Sequence, residues 1–269
     1  MWCLLVLPVG TICMNPVLSD SADELAGTEK VLSFFREQLL SGALKVGDRL
    51  LGERELCLAL GVSRPVLREA LRSLANLGFL DIRHGKGAFV RKADVGVFGD
   101  FLTFCLAQQP DMLDDIMQAR VAIECQAIRL ACIRATDSDL SRIGSLLTRL
   151  METLHDAEDG GAADFAFHMA IVEASRSPAL TTVYRSISDL LKRSHVQRRA
   201  ETSDAPGITD YLVEAHREVF LSILARDPDK ADRMLREHFA IGDELRRKSY
   251  IAAFTRKDAP QEEEKEADS

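Results

Sequence analysis

The chain has 269 residues, 46% of them hydrophobic and 28% charged, which is enough apolar material for one or two packed cores. A net charge of −8 argues against a protein that coats nucleic acid indiscriminately, and no apolar run reaches the length of a membrane span. Six cysteines (Cys3, Cys13, Cys57, Cys105, Cys125, Cys132) without C-x-x-C pairing suit reduced thiols in a cytosol rather than a disulfide framework.

Residues 1–14 look like a short signal core but lack a basic leader, so 1–27 is expected to be disordered or to reflect an upstream start, with Met14 a candidate initiator. Val31–Leu40 has helical apolar spacing, and a turn-rich connector, Gly42–Leu50, follows. Residues 53–72 then read as two short amphipathic helices joined at Gly61. The second opens with Ser63 and carries Arg64, Arg68 and Arg72 on its polar side. Leu56, Leu60, Val62, Leu67 and Leu71 can lock the pair together, as in a helix-turn-helix. Leu80–Val90 alternates apolar and polar residues around a Gly-bearing turn, the pattern of a β-hairpin. The order is that of a winged helix-turn-helix, spanning 28–92. Between Thr28 and Lys92 stand 12 basic and 7 acidic residues, a balance of +5 that leaves −13 on the rest. A basic head on an acidic body suits a DNA reader joined to a part with another task.

After Lys92 the strand signals stop. Apolar residues recur at three and four spacings through about seven segments between 96 and 249, with breaks at Gln109-Pro110, Thr136-Asp137, Gly160-Gly161, Ser177-Pro178, Pro206-Gly207 and Asp227-Pro228. The predicted fold is therefore mainly α, a winged head followed by an all-helical bundle over 93–254. An acidic tail, 255–269, has no apolar periodicity and is expected to be disordered. Within the bundle, Asp164 and His168 at i,i+4 leave one helix on one face, while His216 and His238 sit on later helices. Three imidazoles and a carboxylate would suit a divalent transition metal such as Zn²⁺, Ni²⁺ or Mn²⁺. Spacing alone does not bring the three helices together, and boundary histidines are the alternative. His155 and His195, beside acidic and basic runs respectively, are expected at the solvated surface, with His195 able to line a pocket.

The run Gly42-Ala-Leu-Lys-Val-Gly-Asp-Arg-Leu50 through Glu53-Arg-Glu-Leu56 and Val62-Ser-Arg-Pro-Val-Leu-Arg-Glu-Ala-Leu71 resembles the GntR family of bacterial transcription regulators. It departs at Leu51, usually proline, and at Leu67, often valine. Arg120-Val-Ala-Ile-Glu124, Asp164-Phe-Ala-Phe-His168, His216 and His238 resemble the landmarks of the FCD effector domain of the FadR subfamily, with Ser177 where asparagine is common. The resemblance implies DNA contacts from Arg54, Ser63, Arg64 and Arg68, with the hairpin tip His84-Gly85-Lys86 suited to the minor groove. It also implies metal ligation by Asp164, His168, His216 and His238. Arg120 would take a carboxylate effector, unless it serves only as a salt-bridge partner of Glu124. The expectation is a cytoplasmic, homodimeric, ligand-responsive repressor on a palindromic operator. A metal-dependent hydrolase carrying a DNA-binding head is the alternative, opposed by the lack of a second carboxylate at motif spacing to act as general base.

Overall fold

In a computed structural model, residues 16–93, 95–109, 111–202 and 208–257 are described, together with all side chains of 23–93. The chain divides into two compact units on either side of Val97 and Phe98.

The first unit holds α1 (Pro16–Leu40), α2 (Glu53–Leu60), α3 (Arg64–Asn76), β1 (Leu80–Arg83) and β2 (Gly87–Val90). Gly61 ends α2 in the left-handed region at φ 61°, and the Ser63 hydroxyl accepts from the Val66 N–H to open α3. Phe35, Leu56, Leu60, Leu67 and Leu71 form the core with Leu80 and Val90 of the hairpin. The strands pair antiparallel in the register Leu80↔Val90 to Arg83↔Gly87. Of the two family departures, Leu51 is exposed and Leu67 is fully buried in the core of the head. Helix α1 starts well before Val31 and includes 16–27, expected to be disordered. Its Ser-Ala-Asp-Glu-Leu-Ala stretch has good intrinsic helix formers, and Gly27 lets the helix approach α3, where a Cβ would lie 2.9 Å from Val66. The start at Met14 lies outside the described residues.

The second unit is all-helical: α4 (Val95–Leu106), α5 (Met112–Arg134), α6 (Asp137–Thr153), α7 (Ala157–Ala174), α8 (Pro178–Ser186), α9 (Ser188–Thr202), α10 (Ile208–Leu224) and α11 (Pro228–Lys257). Thr136 and Asp139 form a capping box at the start of α6, while Asp156, Ser177 and Asp227 accept backbone N–H groups where α7, α8 and α11 begin. Helix α7 packs against α5, α6 and α9, and α10 and α11 close the core around Phe167, Ile128, Leu150 and Leu235.

Three expectations need correction here. The pair Gly160-Gly161 does not break a helix but lies buried inside α7, where it admits the neighbouring helix α9. The stretch 178–201 is two helices, separated at Ile187. Helix α11 continues to Lys257, past the expected start of the tail, and 258–269 lies outside the described residues. Cys57, Cys105, Cys125 and Cys132 are free thiols, the last two buried. Among the described residues no helix is long and apolar enough to cross a membrane.

Candidate functional site

On the first unit the N-terminal half of α3 is presented outward because its apolar residues, Leu67, Ala70 and Leu71, all face the core. Arg54, Ser63, Arg64, Arg68, His84, Gly85 and Lys86 are all exposed. Arg68 Nε donates to Glu53 Oε2 at 2.9 Å, a half-exposed pair that costs little to exchange for another acceptor. Arg49, Arg68, Arg72 and His84 line one cleft of about 400 Å³ beside the hairpin. Glycine is required at the hairpin tip, where Gly85 has φ 68° and Gly87 φ 97°. This is a cation-bearing helix end next to a small basic tip, which suits a duplex groove.

On the second unit the sequence-predicted residues do converge. Asp164 and His168 leave α7 towards His216 of α10 and His238 of α11, and one ligand-type atom from each of the three imidazoles lies within 4.8 Å of the other two. The ring centroids of His216 and His238 are 4.3 Å apart, and both rings stand about 5.5 Å from that of His168. All three imidazoles are buried.

The partner on the far side of each ring decides what it presents inward. His216 Nδ1 is 2.6 Å from the Leu212 carbonyl, which can only accept, so Nδ1 carries a proton and Nε2 is the nitrogen turned inward. Nε2 lies 3.3 Å from Asp164 Oδ1. His168 Nδ1 is 2.6 Å from Glu124 Oε2, a second acceptor, although off the line of a good hydrogen bond, and its Nε2 faces Asp164 Oδ1 at 3.2 Å without a hydrogen-bond partner. Burial and the neighbouring His216 and His168 push the His238 imidazole well below its usual range. Three ring nitrogens and a carboxylate oxygen therefore crowd one buried spot, and a cation is what such a cluster accepts.

The charges around the cluster carry the same demand. Burial alone would raise the Asp164 carboxyl, but the His195 and His216 imidazoles, with His168 beside them, hold it well below the usual carboxylate range. Burial and Arg120 press the His168 imidazole down, yet Glu124 and Asp164 outweigh them and raise it: the site asks for positive charge. Glu124, fully buried, is held down at about 2 against the pull of burial by Arg120 and then His168. It accepts from Arg120 Nε at 2.8 Å and from the Tyr184 hydroxyl at 2.6 Å. Arg120 is 4% exposed, lies 4.6 Å from the Phe239 ring centroid and keeps its Nη2 without a partner. Arg120, Asp164, His195, Arg199, Thr202 and His238 are among the residues lining a cavity of about 60 Å³, room for several waters or one small acid.

His155 is exposed as expected, but His195 is not surface: it is 4% exposed, with Nδ1 3.4 Å from Asp164 Oδ1, and burial and Arg120 push it down to about 4. Arg199, at the end of the basic run beside His195, is buried one turn later and donates to Asp164 Oδ2 at 3.0 Å. The usable signal was Leu191, His195 and Arg199 at i,i+4,i+8, an inward stripe hidden by the charged residues between them. A second buried carboxylate, Glu124, does stand near the imidazoles, its Oε1 accepting from Arg120 and Tyr184 and its Oε2 2.6 Å from His168 Nδ1.

Residues 28–90 match the family of bacterial regulatory proteins, gntR family, and residues 115–240 match the FCD domain. A protein of Escherichia coli K12 named for regulation of the L-lactate dehydrogenase operon is 34% identical over 202 residues, 73% of this chain and 77% of that one. The galactonate operon transcriptional repressor of the same organism is 28% identical, over 77% of this chain and 90% of its own. Among solved structures, a Streptococcus agalactiae GntR protein superposes with a TM-score of 0.58 at 24% identity, covering 81% of this chain and 99% of that chain, and shares the fold. These relatives are regulators of transcription, and nothing in them supports the hydrolase alternative.

Proposed function

Because the chain belongs to the gntR family of DNA-binding transcriptional regulators and carries an FCD effector domain rather than an enzyme's machinery, we propose that it is a ligand-responsive repressor whose helical unit uses a bound divalent metal to sense a small carboxylate or sugar acid. The observation that carries this reading is the meeting of three buried imidazoles, one ring nitrogen of each within 4.8 Å of the others, with Asp164 Oδ1 3.2 and 3.3 Å from those of His168 and His216. Asp164, His168, His216 and His238 would hold the metal, and Zn²⁺, Ni²⁺ and Mn²⁺ all accept three nitrogens and one oxygen. When bound, it supplies a Lewis-acidic positive charge for an anion. Arg120, oriented by Glu124 and left with an unspent donor on the cavity wall, supplies the hydrogen bonds that fix a carboxylate. The relatives named for an L-lactate dehydrogenase operon and a galactonate operon favour a hydroxy acid or sugar acid.

The DNA-binding set is Arg54, Ser63, Arg64 and Arg68 in the major groove, with His84, Gly85 and Lys86 towards the minor groove. Ser63 at the α3 N-terminus welcomes a phosphate, and Arg64 and Arg68 suit guanine or phosphate. One such head contacts few base pairs, so a homodimer on a palindromic operator, in the cytoplasm, is the working assembly. Effector binding then biases the spacing of two heads. A coupling of ~1–3 kcal/mol changes operator affinity roughly 5–150-fold. Gel shifts with a panel of hydroxy-, keto- and sugar acids, with and without a chelator, test the switch. At least one acid should alter operator affinity, and chelation should abolish the response. A panel without effect, or a response indifferent to chelation, contradicts the reading.

A further inference from the structure

Asp164 is gripped from α9 as well as from its own helix. Arg199 donates from Nη2 to Asp164 Oδ2 at 3.0 Å, and Arg199 Nη1 reaches the Leu154 carbonyl at 3.5 Å. The guanidinium is 7% exposed. The approach that places it there is built into α7. A Cβ on Gly161 would lie 2.8 Å from the Val196 backbone, and one on Gly160 would lie 2.6 Å from the Thr153 carbonyl and 3.0 Å from Arg199 Cδ. Two helix-interior glycines give up about 1 kcal/mol each in propensity against alanine. In return the α9 backbone can close on α7 until Arg199 meets the carboxylate.

The two oxygens of Asp164 are thereby made different. Oδ2 is engaged by Arg199, whereas Oδ1 faces His168 Nε2, His216 Nε2 and His195 Nδ1 at 3.2, 3.3 and 3.4 Å. Burying a guanidinium is costly unless it is paired, and here it is paired with the one carboxylate of the metal-binding set. We propose that Arg199 is a positioning residue for the metal centre, holding Asp164 so that Oδ1 alone is presented to the cation. The chain would then offer a cation three nitrogens and one oxygen, with Asp164 kept from chelating through both of its oxygens. This rests on the metal reading above.

Electrostatics gives the test a sign. A guanidinium repels a nearby cation, so if Arg199 did no more than balance Asp164, its removal would tighten metal binding. A positioning role predicts the reverse, with affinity falling ~10–100-fold as for other residues that orient a ligand from behind. The experiment titrates the metal-stripped full-length chain with Co²⁺ in wild type, Arg199→Met and Arg199→Lys. It reads affinity by competition with a chromophoric chelator, the visible cobalt spectrum, and thermal unfolding without metal. The Met variant should bind more weakly and show a changed spectrum, with the Lys variant recovering part of both. Equal or tighter binding by Arg199→Met, or an unchanged spectrum, overturns the proposal. If the Met variant does not fold, the Lys variant carries the test alone, and wild-type affinity with a wild-type spectrum overturns it. A wild-type chain that takes up no cobalt is a separate outcome, which removes the metal reading itself.

Discussion

Replacing Glu124 by glutamine asks how much the buried polar cluster contributes to the fold. The side chain keeps its shape and its Oε1 can still accept from Tyr184 and Arg120, but the charge is lost and an amide NH2 replaces the oxygen facing His168 Nδ1. Arg120 is then a buried cation whose nearest remaining neighbours are Met117 Sδ and the Phe239 ring. Breaking one partner of a buried pair costs roughly 3–5 kcal/mol. The depressed Glu124 carboxyl gives a consistent figure: moving from 4.5 to about 2 corresponds to about 3 kcal/mol of preference for the ionised form in the folded state. Because the folded value lies below the unfolded one, that stabilisation is complete above about pH 5 and is lost as the pH falls towards 2. Urea unfolding of the metal-free protein, followed by the far-ultraviolet signal of the helical unit, should show Glu124→Gln less stable by about 3 kcal/mol at pH 7. The gap should narrow by about 1 kcal/mol at pH 4. Arg120→Met in the Glu124→Gln background should restore part of the loss, since the orphaned charge has gone. A deficit under about 1 kcal/mol at pH 7, or one that widens in acid, would refute the reasoning.

Thr136→Ala removes one half of the α6 capping box and should cost about 1 kcal/mol in thermal or urea unfolding. Gly161→Ala forces a methyl to within 2.8 Å of the Val196 backbone, and α9 cannot yield without disturbing Arg199. It should destabilise the helical unit by ~1–3 kcal/mol, and a neutral result would mean the α7–α9 contact is looser than described. Arg64→Ala should weaken specific operator binding by ~1–3 kcal/mol while leaving the melting of the head nearly unchanged, measured by titration at fixed salt.

Apart from the early start of α1, the winged head was legible because the devices in it are local. Gly61 turns the chain, Ser63 caps α3, and the leucines at helical spacing meet within a few tens of residues. The metal-binding set was legible in type, since Asp164 and His168 share one helix face, but the meeting of α7, α10 and α11 is tertiary and leaves no mark in spacing. Gly160-Gly161 misled for a physical reason: glycine usually marks a break, whereas here it serves close helix packing that only the partner helix reveals. His195 and Arg199 were hidden by their charged neighbours, because a basic run reads as solvated until its inward stripe is separated from its outward one. Glu124 was placed beside Arg120 by its spacing, but its second role, behind His168, depends on a contact between α5 and α7.

Whether a metal sits among those imidazoles is measured most directly by elemental analysis of purified protein after reconstitution and exhaustive dialysis, alongside His238→Ala. About one equivalent of a divalent transition metal per chain is predicted for the wild type, with retention lost in the variant, since one of four ligands is gone. Wild-type protein that retains no metal from Zn²⁺, Ni²⁺ or Mn²⁺, or a variant that retains as much as the wild type, would contradict the account.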